Sequence, residues 1–183
     1  MPPRIEIQNI VASTTVADEL DLNALAVALS DAEYDPQRFP GLVLRMKEPK
    51  TAALLFRSGK MVCTGAKVLE DVSRAIKLVC KRIEEAGFGG IHHDPKIDIQ
   101  NIVATSALGA ELNLNAVAVG LGLEQVEYEP EQFPGLVYRM KDPKVVLLLF
   151  GSGKLVCTGA RKPQDAEVAV QKIEAELRSV GLM

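Results

Sequence analysis

Cysteine is scarce in this chain. Cys63, Cys80 and Cys157 make an odd count with no CxxC pair. That argues against a disulfide scaffold and a zinc site, and assigns the thiols to the interior as small apolar side chains. Long apolar runs are missing too. The longest near-apolar stretch, Val145 to Phe150, is of strand length, far short of the roughly 18 residues a membrane span needs. Met1-Pro2-Pro3-Arg4 runs into an alternating segment without the apolar centre of a signal peptide, so an intracellular protein is expected. Catalytic signatures are equally thin. Ser58-Gly59-Lys60 and Ser152-Gly153-Lys154 match part of a phosphate loop, but the full spacing is absent and an apolar residue follows each lysine. His92, His93 and Asp94 are adjacent metal-ligand types in a linker-like stretch, a weak pattern, and no nucleophile–base–acid order is recognisable. No metal or cofactor is expected, and an enzyme is the weakest of the function classes.

The 183 residues, 48% of them apolar, suffice for one compact domain or for two half-domains of about 90 residues sharing a core. The net charge of −3 argues weakly against a nucleic-acid partner, and its distribution reverses that. Residues 38–67 hold seven basic side chains (Arg38, Arg45, Lys47, Lys50, Arg57, Lys60, Lys67) against Glu48 alone. Residues 132–162 hold six (Arg139, Lys141, Lys144, Lys154, Arg161, Lys162) against Asp142. Such segregation implies a positive surface and a negative one on the same body.

The sequence repeats itself. Gln8-Asn9-Ile10-Val11-Ala12 returns as Gln100-Asn101-Ile102-Val103-Ala104. After a two-residue insertion near 121–124, Tyr34–Ala66 aligns with Tyr128–Ala160, with 23 of 33 positions identical. Two long copies do not make a solenoid; a pseudo-twofold pair of half-domains, 1–92 and 93–183, is expected, with the linker at Gly87–Lys96. Each half reads alike. Ile5–Ala12 alternates as a strand, and Asp21 can cap a helix through Leu29 with Leu22, Leu25, Ala26 and Leu29 on one face. Three strands follow, Leu42–Lys47, Thr51–Phe56 and Lys60–Thr64, with turns at Glu48-Pro49 and Ser58-Gly59. A long helix from Leu69 to Ala86 closes the half, its apolar stripe being Val72, Ile76, Val79 and Ile83; Val170, Ile173, Leu177 and Val180 repeat it.

Both faces of these strands are apolar or nearly so, yet two helices per half can cover only one. If Ile10, Leu55, Met61 and Cys63 face the helices, Asn9, Val11, Leu54, Phe56, Val62 and Thr64 line the uncovered side. The second half supplies Asn101, Val103, Leu148, Phe150, Val156 and Thr158. An open apolar patch of that size marks a binding surface or a dimer contact. A DNA minor groove suits the mixture: amides and hydroxyls meet its N3 and O2 acceptors, and aliphatic side chains tolerate A·T edges while leaving the guanine amine unpaired. Basic residues at the rim can neutralise phosphates. Four of the five phenylalanines form two repeated pairs, Phe39 with Phe56 and Phe133 with Phe150, each 17 residues apart. Apolar side chains on such a face can wedge between base steps. The rival reading is a dimerisation or protein-binding module that uses the same sheet.

These motifs carry a family resemblance. The repeated QNIVA segment, Tyr34-Asp35-Pro36, Arg38-Phe39-Pro40-Gly41, Ser58–Ala66, Glu129–Leu136 and Tyr138-Arg139-Met140 resemble the TATA-box-binding protein family over essentially residues 4–180. The resemblance implies an α+β fold: a pseudo-twofold duplicated saddle built on a single curved ten-stranded antiparallel sheet, with four helices on its convex face. It further implies Phe39, Phe56, Phe133 and Phe150 as DNA wedges. Base contacts would come from Asn9, Val11, Leu54, Val62, Thr64, Asn101, Val103, Leu148, Val156 and Thr158. Backbone contacts would come from Arg45, Lys60, Lys67, Arg139, Lys154 and Arg161. Glu129 and Glu131 would meet the basic transcription factor B, so the implied partners are TATA-box double-stranded DNA, transcription factor B and the RNA polymerase pre-initiation complex. Without DNA, the concave face is open to self-association. No long N-terminal extension or acidic C-terminal tail is seen, and Phe39-Pro40-Gly41-Leu42 nearly copies Phe133-Pro134-Gly135-Leu136. Both points favour an archaeal, cytoplasmic general transcription factor over a nuclear one. The halves differ in charge, with twelve bases and twelve acids in 1–92 against nine and twelve in 93–183.

Overall fold

The two periodicities of the sequence become nine strands and four helices among the described residues, 4–122 and 124–183 of a computed structural model. Met1-Pro2-Pro3 and Leu123, within the expected insertion, lie outside them. The chain divides into two compact units, Asn9–Gln100 and Asn101–Met183, the latter including the N-terminal residues through Gln8.

In the Asn9–Gln100 unit the elements are β1 (Glu6–Thr15), whose residues from Asn9 on belong to it, α1 (Leu22–Ala28), β2 (Leu42–Lys47), β3 (Lys50–Leu55), β4 (Lys60–Ala66) and α2 (Leu69–Glu85). The strand order is β2-β3-β4-β1, antiparallel throughout. Strand β1 runs three residues past the expected Ala12. Ser13 and Thr14 end the apolar alternation in sequence, but both are buried and satisfied. Gln100 Nε2 donates to Ser13 Oγ at 2.8 Å, and Thr14 Oγ1 donates to the Lys96 carbonyl at 2.6 Å. The β2–β3 hairpin pairs Lys47 with Lys50, leaving Glu48-Pro49 as its two-residue turn. In the β3–β4 turn Gly59 has φ +86°, and a Cβ there would fall 1.7 Å from the Ala17 carbonyl oxygen. Lys60 begins a strand rather than a helix, so Ser58-Gly59-Lys60 is a hairpin turn and not a phosphate loop.

Both expected helices form. Asp21 caps α1 by accepting the Ala24 N–H at 3.1 Å. Helix α2 buries Val72, Ile76, Val79 and Ile83 and packs against β3 and β4. Glu70 and Asp71 lie in its first turn and Arg82 in its last, the order that the helix dipole favours. Arg82 Nη2 reaches Asp31 Oδ1 at 2.6 Å. That hydrogen bond holds the Asp31 carboxyl below its usual range, against a smaller opposing effect of burial.

The second unit holds β5 (Asp98–Ala107) from Asn101 on, α3 (Leu114–Leu121), β6 (Val126–Glu127), β7 (Leu136–Lys141), β8 (Lys144–Leu149), β9 (Lys154–Ala160) and α4 (Pro163–Ser179). Strand order is β5-β9-β8-β7-β6. Its first strand also meets the N-terminal segment: Gln8 Nε2 donates to Thr105 Oγ1 at 3.1 Å and Ser106 Oγ to the Arg4 carbonyl at 2.9 Å. Val170, Ile173 and Leu177 are buried on α4, but Val180, expected to join them, is 46% exposed. The helix ends at Ser179, and Val180 turns off as its cap.

Among the described residues the strands number nine and not the expected ten. Val126 and Glu127 pair with Tyr138 and Val137, whereas their first-repeat counterparts contribute the single bridge Glu33↔Val43. Val126 buries a branched side chain; Ala32, aligned with it, has only a methyl to hold a second pair.

Candidate nucleic-acid interface

Alternation along the strands separates a helix-packed face from a helix-free one. Ile10, Leu55, Met61 and Cys63 are wholly buried, as are Ile102, Leu149, Leu155 and Cys157. Asn9, Val11, Leu54, Val62 and Thr64, and Asn101, Val103, Leu148, Val156 and Thr158, are all half-buried. Cross-strand pairing sets them in rows. Val43, Leu54 and Val62 form an apolar row, and Arg45, Ala52 and Thr64 a second that runs inward from the outer strand. Val137–Leu148–Val156 and Arg139–Val146–Thr158 repeat both rows.

A bulge brings the asparagine to the threonine. Ile10 pairs with Ala66 and Ala12 with Cys63, so Val11 alone opposes Thr64 and Gly65. Gly65, at φ +101°, supplies the left-handed residue such a bulge needs. Its N–H reaches Asn9 Oδ1 at 2.6 Å. That contact fixes the amide orientation, since an N–H can donate only to the oxygen. Asn9 Nδ2 then lies 3.1 Å from Thr64 Oγ1, and its second hydrogen is left for an acceptor beyond the protein. Asn101, Thr158 and Gly159 repeat the cluster at 2.6 Å for the glycine N–H and 3.2 Å for the threonine oxygen. The result is one amide hydrogen beside each threonine with no partner among the described residues.

Each unit also carries a phenylalanine pair. Phe39 and Phe56 have ring centroids 5.9 Å apart at 69°, and Phe133 and Phe150 are 5.9 Å apart at 68°, both edge-to-face. Phe56 opens the β3–β4 turn, its N–H bonded to the Lys60 carbonyl at 2.9 Å. Phe39 sits in a tight turn in which the Asp35 carbonyl accepts the N–H groups of Arg38 and Phe39, both at 3.0 Å. Phe39 and Phe133 are 38% and 39% exposed, a costly placement for a residue meant only for the core. Beneath each pair lies a glycine. A Cβ on Gly41 would stand 2.7 Å from Phe39 Cε2 and 3.0 Å from Phe56 Cε1, and Gly135 is the same within 0.1 Å.

Charge lies at the margins. Lys60, Lys67, Lys154 and Arg161 are exposed. Arg45 and Arg139, equally exposed, are each drawn to a carboxylate: Arg45 Nη1 to Glu33 Oε2 at 2.7 Å, and Arg139 Nη2 to Glu127 Oε1 at 3.4 Å. Glu129 and Glu131 project from the second phenylalanine turn, where the first has Asp35 and Gln37. A groove of about 190 Å³ runs beside Phe133, lined in part by Glu127, Glu129 and Val137.

The other candidate chemistries do not assemble. His92 is held in the Asn9–Gln100 unit, Nε2 3.1 Å from Asp18 and Nδ1 3.2 Å from the Thr15 carbonyl. Among the described residues no three ligand-type side chains gather. Burial pushes the Cys63 and Cys157 thiols up to about 11, the behaviour of interior groups rather than nucleophiles. Among the described residues no helix is long and apolar enough to cross a membrane.

Sequence reasoning missed three supporting pairs. Gly65 and Gly159 could have been found as lone glycines inside strand patterns, a bulge signal. Gly41 and Gly135 were legible only as turn residues, because the approach of two rings needs coordinates. Glu33 and Glu127 gave no signal beyond recurring beside Tyr34 and Tyr128.

Fold and face together define a duplicated α+β protein with a repeated, half-buried set of apolar, amide and hydroxyl side chains on one strand face. Comparison with known proteins is specific. The sequence model of the family described as "Transcription factor TFIID (or TATA-binding protein, TBP)" matches residues 4–86 and 96–180. The chain is 57% identical over 180 residues to the TATA-box-binding protein of Archaeoglobus fulgidus, covering 98% of each. It is also 57% identical over 179 residues to TATA-box-binding protein E of Halobacterium salinarum, covering 98% of this chain and 96% of that one. The solved structure of Methanococcus jannaschii TBP matches with a TM-score of 0.87 at 51% identity, over 97% of this chain and 99% of that one. The chain belongs to the TATA-binding protein family. It is a transcription initiation factor of that type and not an enzyme.

Proposed function

We propose that the two open faces bind the minor groove of one A·T-rich, TATA-type duplex, the 1–92 and 93–183 repeats each reading half of it. The observation that carries this is the duplicated Asn–Thr–Gly cluster, which holds a free amide N–H on an otherwise aliphatic surface. Minor-groove N3 and O2 atoms are acceptors, so a donor fixed in this orientation complements them; a guanine amine would meet a second donor. Val11, Leu54 and Val62, with Val103, Leu148 and Val156, supply the apolar contacts. Arg45, Lys60, Lys67, Arg139, Lys154 and Arg161 neutralise phosphates. The paired rings of Phe39 with Phe56 and Phe133 with Phe150 enter base steps and bend the duplex, a mode for which this family is itself a well-studied case. Glu129 and Glu131 then present a carboxylate pair to the basic transcription factor B, which leads on to RNA polymerase. On this reading the protein works on chromosomal DNA in the cytoplasm of an archaeal cell, which the archaeal source of its relatives supports only as far as the organism.

Titration with an A·T-rich and a G·C-rich duplex tests the reading, with end-labelled DNA reporting the bend. Strong preference for the A·T-rich duplex is expected, and Phe56→Ala with Phe150→Ala should reduce bending while helicity is kept. Equal, weak binding to both duplexes overturns the assignment. The apolar faces also support self-association without DNA, which sedimentation with and without duplex would reveal.

A further inference from the structure

We propose that Glu33 and Glu127 act as electrostatic latches that occupy the phosphate-seeking guanidiniums of Arg45 and Arg139 and so weaken sequence-independent DNA binding. This rests on the DNA-binding reading above and adds a function for two acids that it leaves unused. Arg45 shares the open-face parity of β2 with Val43 and Lys47, in cross-strand register with Ala52 and Thr64. A duplex on that face would place phosphates at its margin. Its guanidinium is already taken by Glu33, at 2.7 Å. Glu33 is held in place through its backbone, with N–H and C=O bonded to Val43 at 2.9 and 2.8 Å. The second repeat reaches the same pairing from a different local structure, the short strand β6, where Glu127 pairs with Val137 and lies 3.4 Å from Arg139. The acid is thus kept opposite the arginine although the strand around it is not.

Both pairs are largely exposed, 65% and 67% for Arg45 and Glu33, so solvent screens them and a phosphate can displace the carboxylate. The displaced acid stays near the phosphate and lowers the net charge that the margin presents. Because phosphates carry no sequence, this opposition falls equally on every duplex, while the Asn–Thr clusters and the apolar rows still discriminate. Latching therefore lowers the binding of bulk DNA without altering the preference for A·T steps.

The test uses the full chain, with folding checked by circular dichroism, and both duplexes across a salt series. Glu33→Gln should raise affinity for the two duplexes by the same factor, about threefold near 0.1 M salt, and steepen the salt dependence by up to about 0.9 in log–log slope. Glu127→Gln should give a smaller gain, since its pair is longer. In an Arg45→Gln background the Glu33→Gln gain should vanish. A folded Glu33→Gln protein with unchanged or weaker affinity, or a gain that survives Arg45→Gln, overturns the latch. If the wild-type chain shows no preference for the A·T-rich duplex, the DNA-binding reading falls and the latch with it. Preference in the wild type with no response to Glu33→Gln sinks the latch alone.

Discussion

On its open face the first repeat sets Asn9 against Gly65 and Thr64 at 2.6 and 3.1 Å; the second sets Asn101 against Gly159 and Thr158 at 2.6 and 3.2 Å. Behind the sheets the repeats part company. Where the first joins Arg82 to Asp31 in an ion pair, the second puts Glu176 at the arginine's position and Gln125 at the aspartate's. Tyr138, in place of Leu44, bridges them, its hydroxyl 3.2 Å from Gln125 and 3.3 Å from Glu176. Burial, then the neighbouring Glu176, raises that phenol above its ordinary range. The outer helices diverge as well. Arg74, Lys77, Lys81 and Arg82 balance four acids on α2, while α4 has only Lys172 and Arg178 against four. An ion pair and a tyrosine bridge are interchangeable ways of satisfying polar groups behind a sheet. The open-face match has a local cause in each repeat, a strand bulge whose glycine N–H the asparagine accepts, and it is also what the proposed reading of one duplex by both repeats requires.

Three pairs of substitutions test that contrast. The largest effect is expected from Asn9→Asp or Asn101→Asp. A carboxylate still accepts the glycine N–H and the threonine hydroxyl, so stability should change by less than about 1 kcal/mol. It has no hydrogen to offer a groove acceptor, so affinity for an A·T-rich duplex should fall by about 2 kcal/mol, roughly thirtyfold, from either repeat. Equal losses of stability and affinity would return the cluster to a purely structural role. Next come Gly41→Ala and Gly135→Ala. Each new Cβ displaces a ring, at an overpacking cost of about 1 kcal/mol, and should lower DNA bending equally in the two repeats. A bend that survives both changes would detach ring position from mechanism.

The smallest effect should be confined to one repeat. Asp31 titrates below its ordinary range when folded, so its pair contributes stability above pH 4 or so, and this is lost as pH falls through the lowered value. Asp31 is half exposed, so screening leaves about 0.5 kcal/mol. Denaturation of Asp31→Asn should show that deficit at pH 7 and none at pH 2, with no counterpart for Gln125→Ala. A deficit independent of pH would mean that packing, not charge, is at stake.

Much of this was legible in the sequence, wherever a local rule decided the outcome. Pro49 and Gly59 mark hairpin turns, Asp21 is a helix cap, and the parity of Leu54 against Leu55 separates the faces. Legibility failed where distant partners decide. Ser13 and Thr14 extend β1 because Gln100 and Lys96 satisfy them. Val180 follows an apolar period that its helix no longer keeps. The Thr64-Gly65 bulge depends on register between strands more than fifty residues apart, and so does the orientation of the Asn9 amide.

The buried thiols offer a clock. Cys63 and Cys157 occupy matching positions on β4 and β9, each fully enclosed and each a far weaker acid than a free cysteine. A thiol reagent can reach them only while the strand is transiently open, so labelling rates record how often each half-sheet parts. Two identical reporters, one per repeat, thus turn a static duplication into two opening frequencies measured in one tube.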